Sequence, residues 1–553
     1  MISENFDDNK LNEYIKSLKD KYDSKECNLM EKFSNIRTFC HNQIYNSIVY
    51  DISTPEEFQY YHYCYIVFAF LKIFDSASKY LEKNDSLNKD LFYNTSEWTI
   101  EDLLREYDKD NEFLLNNIKC YIKGFDDSVQ KVFDMFKFND FLELLKDNNK
   151  LLDFIIGIYI IDLDKRIFFS MQTIQLFYDK FIQYIKFLYM EMPHEVKDWG
   201  YSYYNNFSEN IIFSLFEEDH ITKEDIKIKD EITLFDPGCC DGELLVKSYF
   251  YIKSINPDCK INLYGCENNI MAYSLCLSRM LLMNQDINNF IFLEKYACPR
   301  NDIFGGASAF FAIDEKLTYD LNLFDNMMFD YVISDFGYLL YRKSLNTEDL
   351  QEVLPYLIQK FNNKLILSFP YKNLAGFHKL LKECVNLNKL ESIIRLPISQ
   401  ESKRDTILIL NQDKNNHEFI LIDQSNKADE NFNITSQIKD MSFLKNYFMH
   451  EEGKTSRIIN NEDVGEFFNF YHLMYSNDVI FEDKDIDYMY LGELVDFSQA
   501  EKFDLLIANP LNLDKVLYYK EEAYVPSDSY YIKIDEEGHT KKVYCEDTAG
   551  GHC

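Results

Sequence analysis

The strongest candidate for chemistry in the sequence is a glycine-containing loop that follows a short apolar run. Residues 234–245 read Leu-Phe-Asp-Pro-Gly-Cys-Cys-Asp-Gly-Glu-Leu-Leu, so a predicted strand ends at Asp236 and a loop with Gly238 and Gly242 leads into a predicted helix. Open α/β sheets bind ligands at the carboxyl ends of their strands, where small residues let a ligand approach the backbone of the helix N-terminus. The same glycine pair is also compatible with a purely structural turn, so the motif alone does not distinguish a ligand-binding loop from a turn.

Three later apolar runs also end in polar residues. Glu267 and Asn268 close the second run, and a carboxylate at this position suits the hydroxyl groups of a ribose. Asp302 and Ile303 follow the third run, and Asp335 closes the fourth. Because the carboxyl ends of parallel strands meet at one edge of a sheet, these four strand ends predict a single ligand-binding hollow.

The elements that must position these residues alternate between strand and helix. Strands are predicted at residues 232–236, 261–267, 290–295, 329–335, 364–369, 392–396 and 406–410. Helices are predicted at residues 242–254, 269–284, 347–362 and 374–386. This alternation predicts a mostly parallel α/β sheet with helices on both faces. The last two strands are joined only by a loop, which predicts an antiparallel hairpin at the sheet edge.

Three regions are predicted along the chain of 553 residues. Residues 1–195 contain long apolar stretches with a recurrence near 3.6 residues, which predicts an all-α N-terminal domain. Residues 196–412 hold the α/β sheet. Residues 413–553 are acidic and mixed, and a role with a partner or in specificity is one interpretation of them.

Taken in order, these strings resemble the methylation subunits of type I restriction-modification systems, a family of S-adenosyl-L-methionine-dependent adenine-N6 DNA methyltransferases. The family's first motif is D-P-x-C-G-S/T-G-x-x-L, followed by G-x-E-x-N and by an N-D pair. The similar strings of this chain, including the closing strands, are 236–245, 265–269, 301–302, 364–370, 393–397 and 406–411. The resemblance covers about residues 55–410 and implies a Rossmann-like methyltransferase domain.

The resemblance implies S-adenosyl-L-methionine as the cofactor and assigns residues to it. They are Tyr203, Tyr204, Asp236, Gly238, Cys240, Gly242, Glu267, Asn268, Asp302 and Ile303. Two of the motifs that contain these residues depart from the family pattern. Cys240 stands where the family has a glycine, and the lead-in G-x-F/Y-Y/F-T-P lacks its threonine and proline around Tyr203 and Tyr204. The Cys240 side chain is therefore expected to crowd the cofactor.

The family's catalytic motif, N/D-P-P-Y/F, corresponds here to Asp335, Phe336, Gly337 and Tyr338. The adenine amino group is a poor nucleophile, because its lone pair is delocalised into the ring. In the implied mechanism the Asp335 side chain and the Phe336 carbonyl accept its two N–H groups, and Tyr338 stacks on the flipped base. Both prolines are missing, and Gly337 restrains the backbone least, so weak or lost activity is an open alternative.

Charge bears on how the chain meets DNA. The chain has 58 Lys and Arg against 93 Asp and Glu, a net charge of −35, whereas residues 236–410 hold 18 basic and 21 acidic residues. DNA-binding proteins normally carry a surface rich in Lys and Arg, so this chain is not expected to bind DNA tightly without a partner. The resemblance implies a separate specificity subunit within a multi-subunit complex. Acidic helices that merely keep a large protein in solution are the plain alternative.

Other classes of protein receive less support from the sequence. The 13 cysteines form no CxxC pair, no His/Asp/Cys cluster has metal spacing, and no GxxxxGK[ST] string occurs. The acidic start resembles no signal peptide and no apolar stretch reaches a membrane span, which predicts a cytoplasmic protein. Two alternatives to the leading hypothesis remain open: a catalytically degenerate scaffold of a defence complex, and a methyltransferase acting on RNA, protein or a small molecule.

Overall fold

The helices of the N-terminal part and a long mixed sheet dominate the described part of the chain. A computed structural model describes residues 8–22, 29–44, 63–77, 80, 88–96, 98–107, 110–163, 167–190, 206–267, 270–292, 324, 327–335, 347–370, 374, 377–396, 405–424, 444–453, 455–465, 468–475, 530–534 and 540–544.

The described residues before 206 form helices and no strand. The helices are α1 (Asp8–Tyr22), α2 (Leu29–Phe39, followed by a π-helical turn Cys40–Ile44), α3 (Phe68–Ala77, preceded by a π-helical turn Tyr63–Val67), α4 (Lys89–Phe92), α5 (Ile100–Arg105), α6 (Asn111–Lys123), α7 (Asp127–Met135), α8 (Phe138–Asp147), α9 (Leu151–Ile160) and α10 (Met171–Met190). The helical character predicted for this region is therefore confirmed where the structure describes it.

Local chemistry explains where several of these helices begin and how they pack. The Thr99 hydroxyl accepts from the Asp102 N–H while the Asp102 carboxylate accepts from the Thr99 N–H, a capping box that starts α5. Helix α9 is apolar on nearly every side and lies in the core. Its Gly157 faces the Phe39 ring so closely that an added Cβ would lie 2.2 Å from Phe39 Cε1.

From residue 206 onward, strands alternate with helices. The elements are α11 (Asn206–Glu218), α12 (His220–Ile228), β1 (Glu231–Asp236), α13 (Glu243–Ile255), β2 (Lys260–Glu267), α14 (Ile270–Leu282), β3 (Phe290–Phe292), β4 (Phe329–Ser334), α15 (Thr347–Ile358), β5 (Phe361–Pro370), α16 (His378–Asn386), β6 (Leu390–Arg395), β7 (Asp405–Asn411), β8 (Glu418–Asp423), α17 (Lys445–Met449), β9 (Ser456–Asn460) and α18 (Phe470–Tyr475).

The strands form one nine-stranded sheet in the order β3-β2-β1-β4-β5-β7-β6-β8-β9. Strands β3, β2, β1, β4 and β5 run parallel, and β6 is parallel to β8. Strand β7 is antiparallel to β5 and β6, and β9 is antiparallel to β8. The carboxyl ends of β1, β2 and β4 therefore lie side by side at one edge of the sheet.

Each face of the sheet packs on its own helices. One face joins α11, α13, α14 and the N-terminal helices in a continuous apolar core. The other face packs on α15, α16 and α18. Within the compact unit of residues 1–476, the N-terminal helices thus share one continuous core with one face of the sheet.

The predicted strands occur at their predicted places, with β3 described only as far as Phe292. The pairing of the last two predicted strands is antiparallel, as expected, but their predicted place at the sheet edge is wrong. Strand β7 inserts between β5 and β6, and β8 and β9 extend the sheet further. The prediction failed because residues 418–423 pair with β6 and residues 456–460 pair with β8. Pairing between segments that are distant in the sequence is not visible in a local pattern.

A second compact unit comprises residues 477–553. Its described residues form an antiparallel hairpin of β10 (Tyr530–Ile534) and β11 (Thr540–Tyr544). Nowhere in the described part of the chain is a helix both long and apolar enough to span a membrane.

Candidate active site

The end of β1 places a buried carboxylate at the base of the glycine-containing loop. Asp236 is 2% exposed, and its Oδ1 accepts hydrogen bonds from the Gly238 N–H at 3.0 Å and from the Ser334 hydroxyl at 2.5 Å. The first bond closes a tight turn directly after the strand. Burial raises the pKa of Asp236 to about 7, although both hydrogen bonds act in the opposite direction. The carboxyl group therefore changes its charge near neutral pH.

Strand β2 supplies the second carboxylate. Asp236 pairs with Gly265 in the β1–β2 ladder, and Glu267 lies two residues further along β2, fully buried. Gly265 has no room for a side chain, because an added Cβ would lie 2.9 Å from Cys239 Sγ and from the Phe290 ring. This close packing lets β2 run directly beneath the loop that follows β1.

Strand β4 supplies the third carboxylate. Asp335 directly follows the last residue of β4 and accepts a hydrogen bond from the hydroxyl of Ser368 on β5. Its neighbour Ser334 bonds to Asp236, so one dipeptide connects the ends of β1, β4 and β5. Asp335 is partly exposed, whereas Asp236 and Glu267 are buried.

Strand alternation assigns the three carboxylates to one face of the sheet. Each of Asp236, Glu267 and Asp335 follows, at an even spacing, a side chain of the core that faces the N-terminal helices. These core residues are Leu234, Leu263 and Ile333. Neighbouring strands lie about 4.8 Å apart, so the ends of β2, β1 and β4 span roughly 10 Å. Three of the four predicted strand ends therefore lie on neighbouring parallel strands, whereas Asp302 lies outside the described residues and the ligand-binding hollow stays a prediction.

The loop between β1 and α13 has an unusual backbone. Cys240 has a φ of +48° and Gly242 a φ of +80°, both in the left-handed region. A side chain at such a position costs about 1–2 kcal/mol, which gives a physical reason for the glycine that the family has in place of Cys240. The thiol of Cys240 is partly buried, and burial raises its pKa well above the usual value. We therefore expect no thiolate chemistry from it.

Several polar residues that contact these strand ends and the loop after β1 were not predicted from the sequence. Ser334 and Ser368 orient Asp236 and Asp335, and strand register beside a predicted acid would have indicated them. Lys186 and Arg279 contact Asp241 in the loop from helices α10 and α14. No local signal marks these two residues, because their partners lie 55 and 38 positions away in the chain.

Several predicted site residues lie outside the described residues, and their roles stay predictions. They are Tyr203, Tyr204, Asn268, Asp302, Ile303, Phe336, Gly337 and Tyr338. The structure brings together Asp236, Gly238, Cys240, Gly242, Glu267 and Asp335. In the described ranges, no group of three or more His, Cys, Asp or Glu side chains is arranged to hold a metal ion.

Comparison with known proteins gives a family for the segment that holds this site. Residues 219–350 match the model of the N-6 DNA Methylase family. No curated protein matches the chain.

Among solved structures, the chain is similar to the methyltransferase subunit of a type I restriction-modification system from Streptococcus thermophilus (14% identity, 83% of this chain and 99% of that chain covered, TM-score 0.46). It is also similar to a modification subunit ascribed to a type I restriction enzyme from Vibrio vulnificus (11% identity, 80% and 95% covered, TM-score 0.45). A third similar structure is TrmK of M. capricolum with S-adenosyl-homocysteine (16% identity, 35% and 68% covered, TM-score 0.21). The segment that matches the family model contains the motifs at 236–245 and 265–269.

Proposed function

We propose that this chain is a DNA adenine-N6 methyltransferase subunit of a restriction-modification or related defence system, which methylates an adenine flipped out of the duplex. One observation carries the proposal. Within the segment that matches the family, Asp236, Glu267 and Asp335 meet at the carboxyl ends of neighbouring parallel strands, on one face of the sheet. That edge is where open α/β sheets bind nucleotide-like ligands.

The donor set at the ends of β1 and β2 fits S-adenosyl-L-methionine. Glu267 would accept hydrogen bonds from the ribose hydroxyls, and the tight turn from Asp236 to Gly238 would bring backbone groups close to the ligand. The surrounding carboxylates favour a ligand with positive charge. When bound, this cofactor supplies an electrophilic methyl group on a positively charged sulfur. Tyr203, Tyr204, Asn268, Asp302 and Ile303 would complete the contacts.

Asp335 would act on the adenine. Its carboxylate would accept one N–H of the amino group and the Phe336 carbonyl the other, so that the nitrogen lone pair points at the methyl group. The Ser368 hydroxyl holds the Asp335 carboxylate in one orientation, which lowers the cost of reaching that geometry. Tyr338 would stack on the flipped base.

A partner would supply most of the DNA affinity. The net charge of −35 opposes binding to a polyanion, so we propose a multi-subunit complex in which a specificity subunit reads the sequence. DNA as the substrate would place the chain in the cytoplasm.

Calorimetric titration of the full chain with S-adenosyl-L-methionine tests the cofactor, and N6-methyladenine in the DNA of expressing cells that also supply a specificity subunit tests the reaction. Asp335→Ala is expected to lower methylation by about 100-fold or more, because the amino group loses an oriented acceptor. Asp335→Asn keeps an acceptor oxygen and is the matched control, with more activity retained. Both variants should still bind the cofactor. Equal methylation by Asp335→Ala and the unaltered chain would exclude the proposed role of Asp335.

A catalytically degenerate scaffold is the second candidate function. Two observations favour it: both prolines of the catalytic motif are missing between Asp335 and Tyr338, and Cys240 adopts a left-handed backbone where the family has glycine. In that case the chain would bind the cofactor or nucleic acid without turnover. Cofactor binding together with absent adenine methylation, in the presence of a specificity subunit, would select this candidate.

A further inference from the structure

The loop that follows β1 is attached to a helix of the N-terminal region by buried ion pairs. Lys186 on α10 lies with its Nζ 2.7 Å from Asp241 Oδ2 and 2.5 Å from Glu243 Oε2. Asp241 is the last loop residue before Gly242, and Glu243 is the first residue of α13. One side chain therefore connects α10 to the point where the loop becomes a helix.

Arg279 on α14 makes a second attachment to the same loop. Its Nη1 lies 2.9 Å from both the carboxylate Oδ1 and the backbone carbonyl oxygen of Asp241. Its Nε lies 2.9 Å from the Oδ1 of Asp179, which is again on α10. The guanidinium thus fixes the backbone as well as the side chain of Asp241, and a planar fork of donors suits such a double contact.

Burial makes these contacts strong determinants of local structure. The Lys186, Asp241 and Arg279 side chains are 10%, 2% and 2% exposed. Burial opposes ionisation of Asp241, yet Arg279 and Lys186 hold its pKa below the usual value. Loss of one partner from a buried pair leaves an uncompensated charge, which the surrounding chain relieves by moving.

Asp241 itself is a departure from the family motif, which has a serine or threonine at this position. A buried carboxylate there needs a cation, and Lys186 and Arg279 both lie within ion-pair distance of it. The loop geometry of this chain therefore depends on residues outside the motif. Such dependence is a property of this sequence and follows from Asp241.

We infer that Lys186 and Arg279 are positioning residues for S-adenosyl-L-methionine, which hold the loop from Asp236 to Gly242 in its binding geometry. The inference rests on the proposed function. It makes α10, a helix outside the α/β sheet, a part of the cofactor site. Cofactor binding and the packing of α10 are then coupled, because the same ion pairs contribute to both.

The test compares two buried lysines in the full chain. Lys186→Met removes the link between α10 and the loop. Lys364→Met is the matched control, because Lys364 is 3% exposed and lies 3.0 Å from each of two carboxylates, Asp219 and Glu391. Lys364 precedes Ser368 by four residues on β5, roughly 13 Å toward the opposite end of the sheet.

Equilibrium binding of S-adenosyl-L-methionine supplies the readout, at a temperature where circular dichroism shows each variant folded. Lys186→Met is expected to raise the Kd by about 5- to 150-fold, the usual range for coupled sites. Lys364→Met should lower the Tm without changing the Kd. Lys186→Arg, which keeps the charge, should restore most of the affinity. If Lys186 had a purely structural role, Lys186→Met and Lys364→Met would change the Kd and the Tm in the same way.

The binding results distinguish failure of the proposed function from failure of the inference about Lys186 and Arg279. Absence of binding by the unaltered chain would overturn the proposed function and this inference with it. Binding by the unaltered chain with an equal Kd for Lys186→Met would overturn the inference alone. If Lys186→Met does not fold, Arg279→Lys replaces it, with Arg395→Lys as control, since Arg395 makes a buried pair with Asp423 at 2.8 Å on β6 and β8. A Kd that rises in Arg279→Lys but not in Arg395→Lys supports the inference, and an equal Kd for the two variants contradicts it.

Discussion

At the scale of single residues, Asp236 shows how a site residue differs from a core residue of similar burial. The apolar side chains before it on β1 gain free energy from burial, whereas its carboxyl group loses hydration. Two hydrogen bonds, from Gly238 and Ser334, compensate part of that loss. The protein therefore holds a destabilising group at the end of β1, as is common where a ligand binds.

The pH dependence of stability should reveal this cost. The pKa of Asp236 rises from 3.8 to about 7 on folding, so the native state keeps its proton longer than the unfolded state. The protonated carboxyl group therefore stabilises the native state below about pH 4, and this contribution is lost as the pH rises to 7. At roughly 1.4 kcal/mol per pKa unit, the loss in the free energy of unfolding is up to about 4 kcal/mol. Asp236→Asn cannot ionise and keeps an acceptor oxygen for both bonds. Its free energy of unfolding in urea should exceed that of the unaltered chain at pH 8.

The two stability curves should converge as the pH falls toward 4, because both side chains are then neutral. The comparison is made without cofactor, since ligand binding would add its own free energy. A constant difference between the curves at all pH values would mean that ionisation of Asp236 is not the cause.

At the scale of elements, helix α9 shows how a close approach selects a residue. Gly157 lies inside a helix, where alanine is normally favoured by about 1 kcal/mol. Gly157→Ala should nevertheless destabilise the chain by about 1–3 kcal/mol, because its Cβ would overlap the buried Phe39 ring. Gly465→Ala is the control, since an added Cβ meets nothing within 4 Å there. Urea unfolding of the two variants measures the difference, and equal midpoints would contradict the packing argument.

The elements also show what the sequence can and cannot predict. The seven strands and the carboxylates at the ends of β1, β2 and β4 followed from local patterns, because period and strand ends are local properties. The insertion of β7 between β5 and β6 did not, since pairing depends on register between distant segments. The pairs of Lys186 with Asp241 and of Arg279 with Asp179 were likewise invisible, because they join side chains 55 and 100 residues apart.

At the scale of the whole molecule, the sheet beyond β7 is an integral part of the first compact unit. Strand β8 pairs with β6 on one side and with β9 on the other. Its Phe419 and Leu421 are buried in one core, and Ile420 and Ile422 in the other. Both faces of β8 therefore contribute to stability, although the motifs of the family end before it.

Two shortened chains test this role of β8. A chain that ends at residue 476 keeps the first unit complete and should unfold cooperatively. A chain that ends at residue 412 loses β8 and β9. At about 1.5–3 kcal/mol for each buried apolar side chain, the four from β8 alone represent roughly 6–12 kcal/mol, comparable with the total stability of a typical protein.

The shorter chain should also expose the edge of β6, with unpaired backbone groups flanked by buried residues such as Ile393 and Ile394. Such an edge promotes aggregation, so we expect the chain ending at 412 to be insoluble where the chain ending at 476 is soluble. Soluble yield and thermal unfolding measure both properties. A soluble chain of 412 residues with the Tm of the longer one would show that the sheet is stable without β8 and β9, and would confine the structural unit to the strands up to β7.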